Sequence, residues 1–473
     1  MQSLRVLRGS LVASATFFVG CTAILGDFST GDGDGGTGDA SLDAAIEASV
    51  DARSTADVAV DTGPVSDTGT DAHVGVDASI DASADSPSET STGCPTNEHL
   101  CSAACVANSD VANCGTSSCS ACAIPAHATS TCDGTNCSYT CAAGYADCNG
   151  MASDGCEVNT NADPGNCGAC AHSCLVGSCN GSGTCIAGQV TSITAAAGDL
   201  AIDATNVYFT GPGAIYQAPK TGAAVTFLDS SPEPGAVNGI AIDSGYVYWT
   251  DAGTSSSGGS IRKTPKGGNA VAQVLYQYAA GTPEKPFGVA VGGTKIYWSA
   301  TGGAIVSPSS THLGGSVDND GTSGAEYTYS GVFNSGVERV AADSAGAFIA
   351  SESAIYSFSQ AAFSGGGYAL ALDANYVYWS GKTTGVGSVG RTKRDNSSSG
   401  ALVNNLTNPT GIAVDASNIY WVDNSTGTVN SVPLGGGATT TIVTGQNGPN
   451  AIAVDATGIY WTTTDGKVMA IAK

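Results

Sequence analysis

From about residue 188 to residue 473, three kinds of segment recur in fixed order: a short apolar run, a polar turn, and a run dense in β-branched and aromatic residues. Ala201-Ile-Asp203 leads to Val207-Tyr208-Phe209, and Ala241-Ile-Asp243 leads to Val247-Tyr248-Trp249-Thr250-Asp251. Later copies carry Gly292, Asp343, Asp373, Asp415 and Asp455 at the turn. The aromatic pairs that follow are Tyr297-Trp298, Phe348-Ile349, Tyr378-Trp379, Tyr420-Trp421 and Tyr460-Trp461. Each copy predicts a strand, an Asx-type turn and a second strand. The turn positions run from 203 to 455 over six intervals, a mean spacing of 42 residues, and four-stranded propeller blades repeat every ~40–45 residues. An all-β, seven-bladed propeller is therefore expected over 188–473.

Neighbouring residues of a strand point to opposite faces, yet Tyr248 and Trp249 are both large and apolar. A sheet needs apolar groups on both faces only when it is covered on both, as a blade is. All five tryptophans (Trp249, Trp298, Trp379, Trp421 and Trp461) share one repeat position, which marks them as packing residues. The recurrent Asp203, Asp243, Asp343, Asp373, Asp415 and Asp455 are expected to cap their turns. After the seventh copy begins near Ala451 there is room for three strands. Gln189-Val-Thr-Ser-Ile-Thr resembles the run Thr441-Ile-Val-Thr, so it is expected to supply the fourth strand and close the ring. Copies three and four depart from the pattern, and residues 306–336 read as an irregular insertion holding His312, Asp318 and Asp320. Those three residues form a candidate binding patch, because loops carry function on rigid scaffolds; drift of the repeat is the rival account.

The Tyr-Trp-Thr-Asp at 248–251 and Gly411-Ile-Ala-Val-Asp415 resemble propellers of the YWTD and NHL types. The resemblance implies the fold. The YWTD family proper has six blades and this chain has seven copies, so ligands are not carried over.

The N-terminus reads differently. Arg5 and Arg8 precede a short apolar stretch, Leu11 to Gly20, too short to span a bilayer and expected to be a signal sequence. Phe18-Val-Gly-Cys21 resembles a bacterial lipobox, with Phe18 in place of the usual Leu. That resemblance makes Cys21 the lipid attachment site and residues 1–21 the lipoprotein signal; an ordinary signal peptide is the alternative. Residues 22–93 are expected to be a disordered linker, since they offer too little apolar surface to offset ordering. Within them, 27–93 carry 13 Asp, 2 Glu and one Arg, and such a chain repels itself and extends. The whole chain has a formal charge of −25, which argues against nucleic acid as a partner.

Besides Cys21, all cysteines fall between 94 and 185: Cys94, Cys101, Cys105, Cys114, Cys119, Cys122, Cys132, Cys137, Cys141, Cys148, Cys156, Cys167, Cys170, Cys174, Cys179 and Cys185. An even number in an exported chain predicts eight disulfides. Asp110-Val-Ala-Asn-Cys114-Gly is echoed by Asp163-Pro-Gly-Asn-Cys167-Gly, so 94–187 is expected to hold two tandem stapled units. Zinc is the competing reading of the Cys-x-x-Cys spacings. Asp147, Asn149, Asp154 and Glu157 combine closely spaced oxygen ligands with glycines, which is one way to build a calcium loop; Asx-rich turns look the same without metal. The Asn-Cys-Gly-x-Cys pattern and the DGCE segment resemble cysteine-rich modules of surface lipoproteins of myxobacteria and related bacteria. That likeness implies a cell-envelope setting, with the outer membrane as the expected location.

No catalytic set is expected. Lyase chemistry on propellers depends on histidine, and the propeller region has one, His312. A gluconolactonase-type enzyme would hold a metal at the central channel, and Asn238, Asn408 and Asn450 precede first strands where they could line it. The leading expectation is a non-enzymatic, lipid-anchored envelope protein whose propeller binds protein or polysaccharide, without a resident cofactor other than calcium on the loop reading. The metal-dependent lactone hydrolase and a purely structural envelope spacer are the alternatives.

Overall fold

The computed structural model describes residues 93–473, except 231–236, 255–256, 269, 283–284, 302–310, 330–336, 352–353, 359–361, 364 and 384. The expected signal, Cys21 and all of the acidic linker but Gly93 lie outside the described residues. No described helix is long and apolar enough to cross a membrane.

Seven four-stranded antiparallel sheets follow one another along the chain. In blade 2 the strands run Val237–Ile242, Tyr246–Asp251, Ser260–Pro265 and Gln273–Gln277. Successive first strands pack side by side, and that of blade 7, Pro449–Val454, meets that of blade 1, Leu200–Ile202, which closes the ring. Blade 7 draws three strands from 449–472; its fourth is Gly188–Ser192, antiparallel to Lys467–Ala472. The segment expected to close the ring does so.

The second strand of each blade holds the stack together. Trp249 packs on Tyr208 and Ile215 of blade 1, and Trp298 on Tyr248 and Ile261 of blade 2. Trp379 packs on Phe348, Trp421 on Tyr378 and Trp461 on Tyr420. Each indole thus covers the aromatic ring of the preceding blade, while its own Tyr neighbour faces the next. Four of the five indoles are 0 % exposed and Trp379 is 5 % exposed; full burial of a large apolar side chain contributes roughly 1.5–3 kcal/mol.

The expected insertion at 306–336 is corrected. Thr311–Asp318 and Ala325–Tyr329 are the third and fourth strands of blade 3. Their pattern was masked by Gly314 and Gly315. Gly315 lies opposite Trp298, and a Cβ there would come within 2.2 Å of the indole. The short spacing from Asp343 to Asp373 has a different cause: the third and fourth strands of blade 4 are only Ile355–Ser357 and Ala362–Phe363.

On the face that carries the Asp turns, a second set of contacts ties blade to blade. Asp203 Oδ1 accepts from the amides of Thr205 and Asn206 at 3.0 and 2.9 Å, and Oδ2 accepts from the Tyr208 hydroxyl at 2.8 Å. Lys266 of blade 2 donates to the same Oδ2 at 2.8 Å and lies over the Tyr208 ring. Lys220 of blade 1 joins Asp455 and Tyr460 of blade 7, and Lys473 of blade 7 joins Asp415 and Tyr420 of blade 6 in the same way. Arg394 of blade 5 joins Asp343 and Phe348 of blade 4. Where blades 3 and 6 have Asn319 and Leu434 instead of this cation, the preceding blade supplies one. Lys263 donates forward to the Asn319 carbonyl, and Arg391 to the Leu434 carbonyl, at 2.6 Å each. At the interface of blades 3 and 4, Gly292 replaces the Asp and Phe358 the cation. The rings of Tyr297 and Phe358 meet edge to face at 5.0 Å.

The cysteines form eight disulfides in two sets with the same connectivity. Cys94–Cys105, Cys101–Cys119, Cys114–Cys132 and Cys122–Cys137 build the first unit. Cys141–Cys156, Cys148–Cys170, Cys167–Cys179 and Cys174–Cys185 build the second. The segment 147–157, which holds the candidate calcium residues, belongs to the second unit. That unit docks at the ring seam. Leu175 and Val176 pack on a cluster holding Val190, Phe209 and Val468, and a Cβ on Gly188 would lie 2.2 Å from the Val176 carbonyl oxygen. His172 Nε2 is 3.3 Å from the Lys473 carbonyl oxygen.

Two outcomes are expected. Partial burial raises the Asp415 carboxyl, but Lys473, two amides and the Tyr420 hydroxyl outweigh it and hold the group at about 2, against 3.8 ordinarily. A depression of that size contributes on the order of 2 kcal/mol. The contribution is full above the unfolded value and is lost as pH falls through the folded one. Lys473→Met should move acid unfolding, followed by circular dichroism, to higher pH; coincident acid curves would show the latch to be idle. Secondly, Cys174→Ser with Cys185→Ser frees the segment that delivers the closing strand and should cost about 2–4 kcal/mol. Because every Trp lies in the propeller, a shifted urea transition in Trp fluorescence would report the ring; an unshifted one would make the module independent of it.

Candidate functional site

The first strands of the blades begin around the central channel on the face opposite the Asp turns. Hydroxyl groups fix these starts. Thr250 Oγ1 accepts from Gly239 N at 2.8 Å and donates to the Phe287 carbonyl of the next blade at 2.7 Å. Thr462 Oγ1 accepts from Ala451 N at 3.1 Å and donates to Gly198 O at 2.7 Å, across the seam. Blade 6 has Val422 at this repeat position, and there Thr410 Oγ1 donates to Asn450 O at 3.0 Å instead. The strands approach so closely that a Cβ on Gly239 would lie 2.5 Å from Phe287 O, and one on Gly411 2.7 Å from Asn450 O.

This packing leaves a cavity of about 490 Å³ at the channel mouth, lined by residues of all seven blades. Its walls include Asp199, Phe287, Arg339, Tyr368, Asn408, Thr410 and Asn450. Asp199 of blade 1 and Arg339 of blade 4 are paired across it, with NH1 2.6 Å from Oδ2, and both side chains are about four-fifths buried (18 % and 22 % exposed). Asp199 is held further by Ile240 N on Oδ2 and Leu200 N on Oδ1, each at 3.1 Å. The Arg339 guanidinium lies over the Phe287 ring, 5.4 Å from its centroid.

Sequence reasoning missed this pair. The residue before the first-strand aliphatic is Gly239, Gly288, Ala369, Gly411 or Ala451 in five copies, but Asp199 and Arg339 in copies one and four. Two opposite charges at a position the repeat reserves for small residues were the available signal. Of the asparagines expected at the channel, Asn408 and Asn450 line the cavity and Asn238 does not; its amide lies 3.4 Å from Pro286 O. The donor set fits a divalent metal poorly. The cavity wall offers one carboxylate, already bonded to a guanidinium that would repel the ion, and no group of three His, Cys, Asp or Glu ligands gathers there among the described residues.

The other sequence candidates lie elsewhere. His312 is in the third strand of blade 3, with its backbone opposite Thr328. Asp318 pairs with Lys295 at 2.7 Å, and Asp320 accepts from the Thr322 amide and hydroxyl. These two sit at the turn between the third and fourth strands, on the face of the Asp turns and away from the cavity. In the cysteine module, Asp147 accepts from the Tyr139 hydroxyl at 2.5 Å and Gly150 N at 2.6 Å. The Tyr139 bond holds its carboxyl below the ordinary value. Asn149 donates to Asp154 at 2.8 Å, and Glu157 accepts from Cys148 N at 3.0 Å. Each of these four residues thus takes part in a turn hydrogen bond. The cysteines with zinc-like spacing are all in disulfides.

No family model matches the chain, and no curated protein matches it in sequence. Solved structures do. Virginiamycin B lyase from Staphylococcus aureus is 15 % identical, with 61 % of this chain and 98 % of that chain covered and a TM-score of 0.49. A nidogen/laminin complex gives 17 % identity, 57 % and 98 % coverage and a TM-score of 0.38. The PQQ-bound aldose sugar dehydrogenase of Streptomyces coelicolor gives 12 % identity, 60 % and 96 % coverage and a TM-score of 0.39. The fold class rests on the seven stacked four-stranded sheets themselves: it is a β-propeller.

Arg339→Met leaves Asp199 with its two amide donors but without its counter-ion in a four-fifths buried position. It should lower stability by about 1–3 kcal/mol in urea titrations; an unchanged midpoint would show that the pair contributes nothing to the fold.

Proposed function

We propose that this protein is a lipid-anchored envelope component whose propeller captures a ligand at the channel mouth. The observation that carries the reading is the polar cavity with its partly buried Asp199–Arg339 pair, on the face opposite the docked second disulfide unit. Leu175 and Val176 approach Gly458 and Gly222, which lie by the turns of the Asp face. The second disulfide unit thus attaches to the ring on the side away from the cavity mouth. Repeat symmetry explains the rest of the ring as scaffold, whereas this pair departs from the repeat. The reading supposes that Cys21 carries the lipid, that the acidic linker acts as a spacer and that the outer membrane is the location. Charged residues held at a channel mouth serve binding without requiring a catalytic group.

Cys21→Ser tests the anchor. The wild-type chain in its native cells should incorporate labelled palmitate and sediment with outer membranes. The variant should lose the label and leave the membrane fraction. Unlabelled wild-type protein, or a variant that sediments equally, would overturn the anchoring.

A further inference from the structure

Resting on that reading of the cavity, we propose that its ligand is a neutral, hydroxyl-rich saccharide unit. The charges of the wall cancel within the protein: Asp199 and Arg339 lie 2.6 Å apart. An anion would have to compete with Asp199 for the guanidinium, and a cation with Arg339 for the carboxylate. What the wall has left to offer is uncharged or already neutralised hydrogen bonding. Asn408 and Asn450 line the cavity, and their side-chain amides have no protein partner among the described residues. Each presents two N–H donors and one carbonyl acceptor in a plane. Asp199 accepts two amide hydrogen bonds and is ion-paired with Arg339, which leaves part of the acceptor capacity of its two oxygens. The Arg339 guanidinium carries five N–H donors, and its Nη1, though ion-paired with Asp199, makes no hydrogen bond among the described residues.

A ligand that satisfies donors and acceptors together, at close spacing and without net charge, is a polyol: each hydroxyl both donates and accepts. Vicinal hydroxyls on a pyranose ring match the paired atoms of amide, carboxylate and guanidinium groups. The size agrees, since about 490 Å³ lies in the range of small-ligand sites and admits one or two sugar rings. A peptide also alternates donors and acceptors. It would bring side chains as well, and apart from the half-buried Phe287 and Tyr368 the aliphatic residues at the wall are largely buried between the blades.

The test uses the full chain, purified in a zwitterionic detergent because glycoside detergents carry the proposed ligand. An array of neutral oligosaccharides and a pool of acetylated, amidated tetrapeptides are screened against wild type and the Asn408→Ala/Asn450→Ala double variant, followed by calorimetry on any hit. Thermal unfolding of the variant confirms that it is folded. The expected result is saccharide binding that the double variant weakens at least about tenfold. Peptide binding lost in the same variant, without saccharide binding, would overturn the ligand class and leave the cavity as the site. Saccharide binding that the variant does not weaken would overturn the site. Binding of neither probe by wild type would overturn both.

Discussion

Each blade of this propeller is a four-stranded sheet with apolar residues on both faces, and it is stable only because neighbours cover both. The contact that does so is the indole of one blade against the aromatic ring of the blade before it, as with Trp298 on Tyr248 and Trp461 on Tyr420. A sheet with one neighbour would leave an aromatic face in water, so the stack must continue until it meets itself. That requirement explains the ring, the borrowed strand at Gly188–Ser192, and the docking of the second disulfide unit at the seam. Each disulfide unit holds little apolar surface and is held by its cross-links.

The two faces of the ring then take different work. On the Asp-turn face, carboxylates, Tyr hydroxyls and cations tie blade to blade, and almost every charge there is spent on structure. Blades 2 and 5 reach the same end with Lys263 and Arg391 directed forward to a carbonyl. On the opposite face the ties are uncharged hydroxyls, Thr250 and Thr462 among them, and the first strands approach within the clearance of glycine. A charged pair at the centre of that face, spanning blades 1 and 4, is what the repeat does not require. It is the feature on which the proposed binding role of the channel mouth rests.

Much of the fold was legible because packing imposes a period. Seven Tyr-Trp-like phrases gave seven blades, and the resemblance between the runs at 189 and 441 gave the closing strand. Legibility failed where a residue's role depends on a partner far away in the chain. Gly314 and Gly315 read as a loop, since nothing local says that the Trp298 indole fills the space a side chain would need. Gly390 stands opposite Trp379 in the same register, so a comparison between copies held the clue. The latch cations were missed for the same reason: Lys266 is 63 residues from Asp203. At the channel, two of three asparagines were placed correctly, but Asp199 and Arg339 carried no local motif.

The sequence alone determined the repeat, the aromatic positions that pack, the duplicated cysteine pattern and the strand that closes the ring. All of these follow from short-range periodicity and from the alternation of faces along a strand. Only the tertiary structure decided which cysteines join, which cation meets which carboxylate, and which residues face one another across the channel. Those outcomes depend on distances between segments far apart in the chain, and such distances are set when the blades stack and the ring closes.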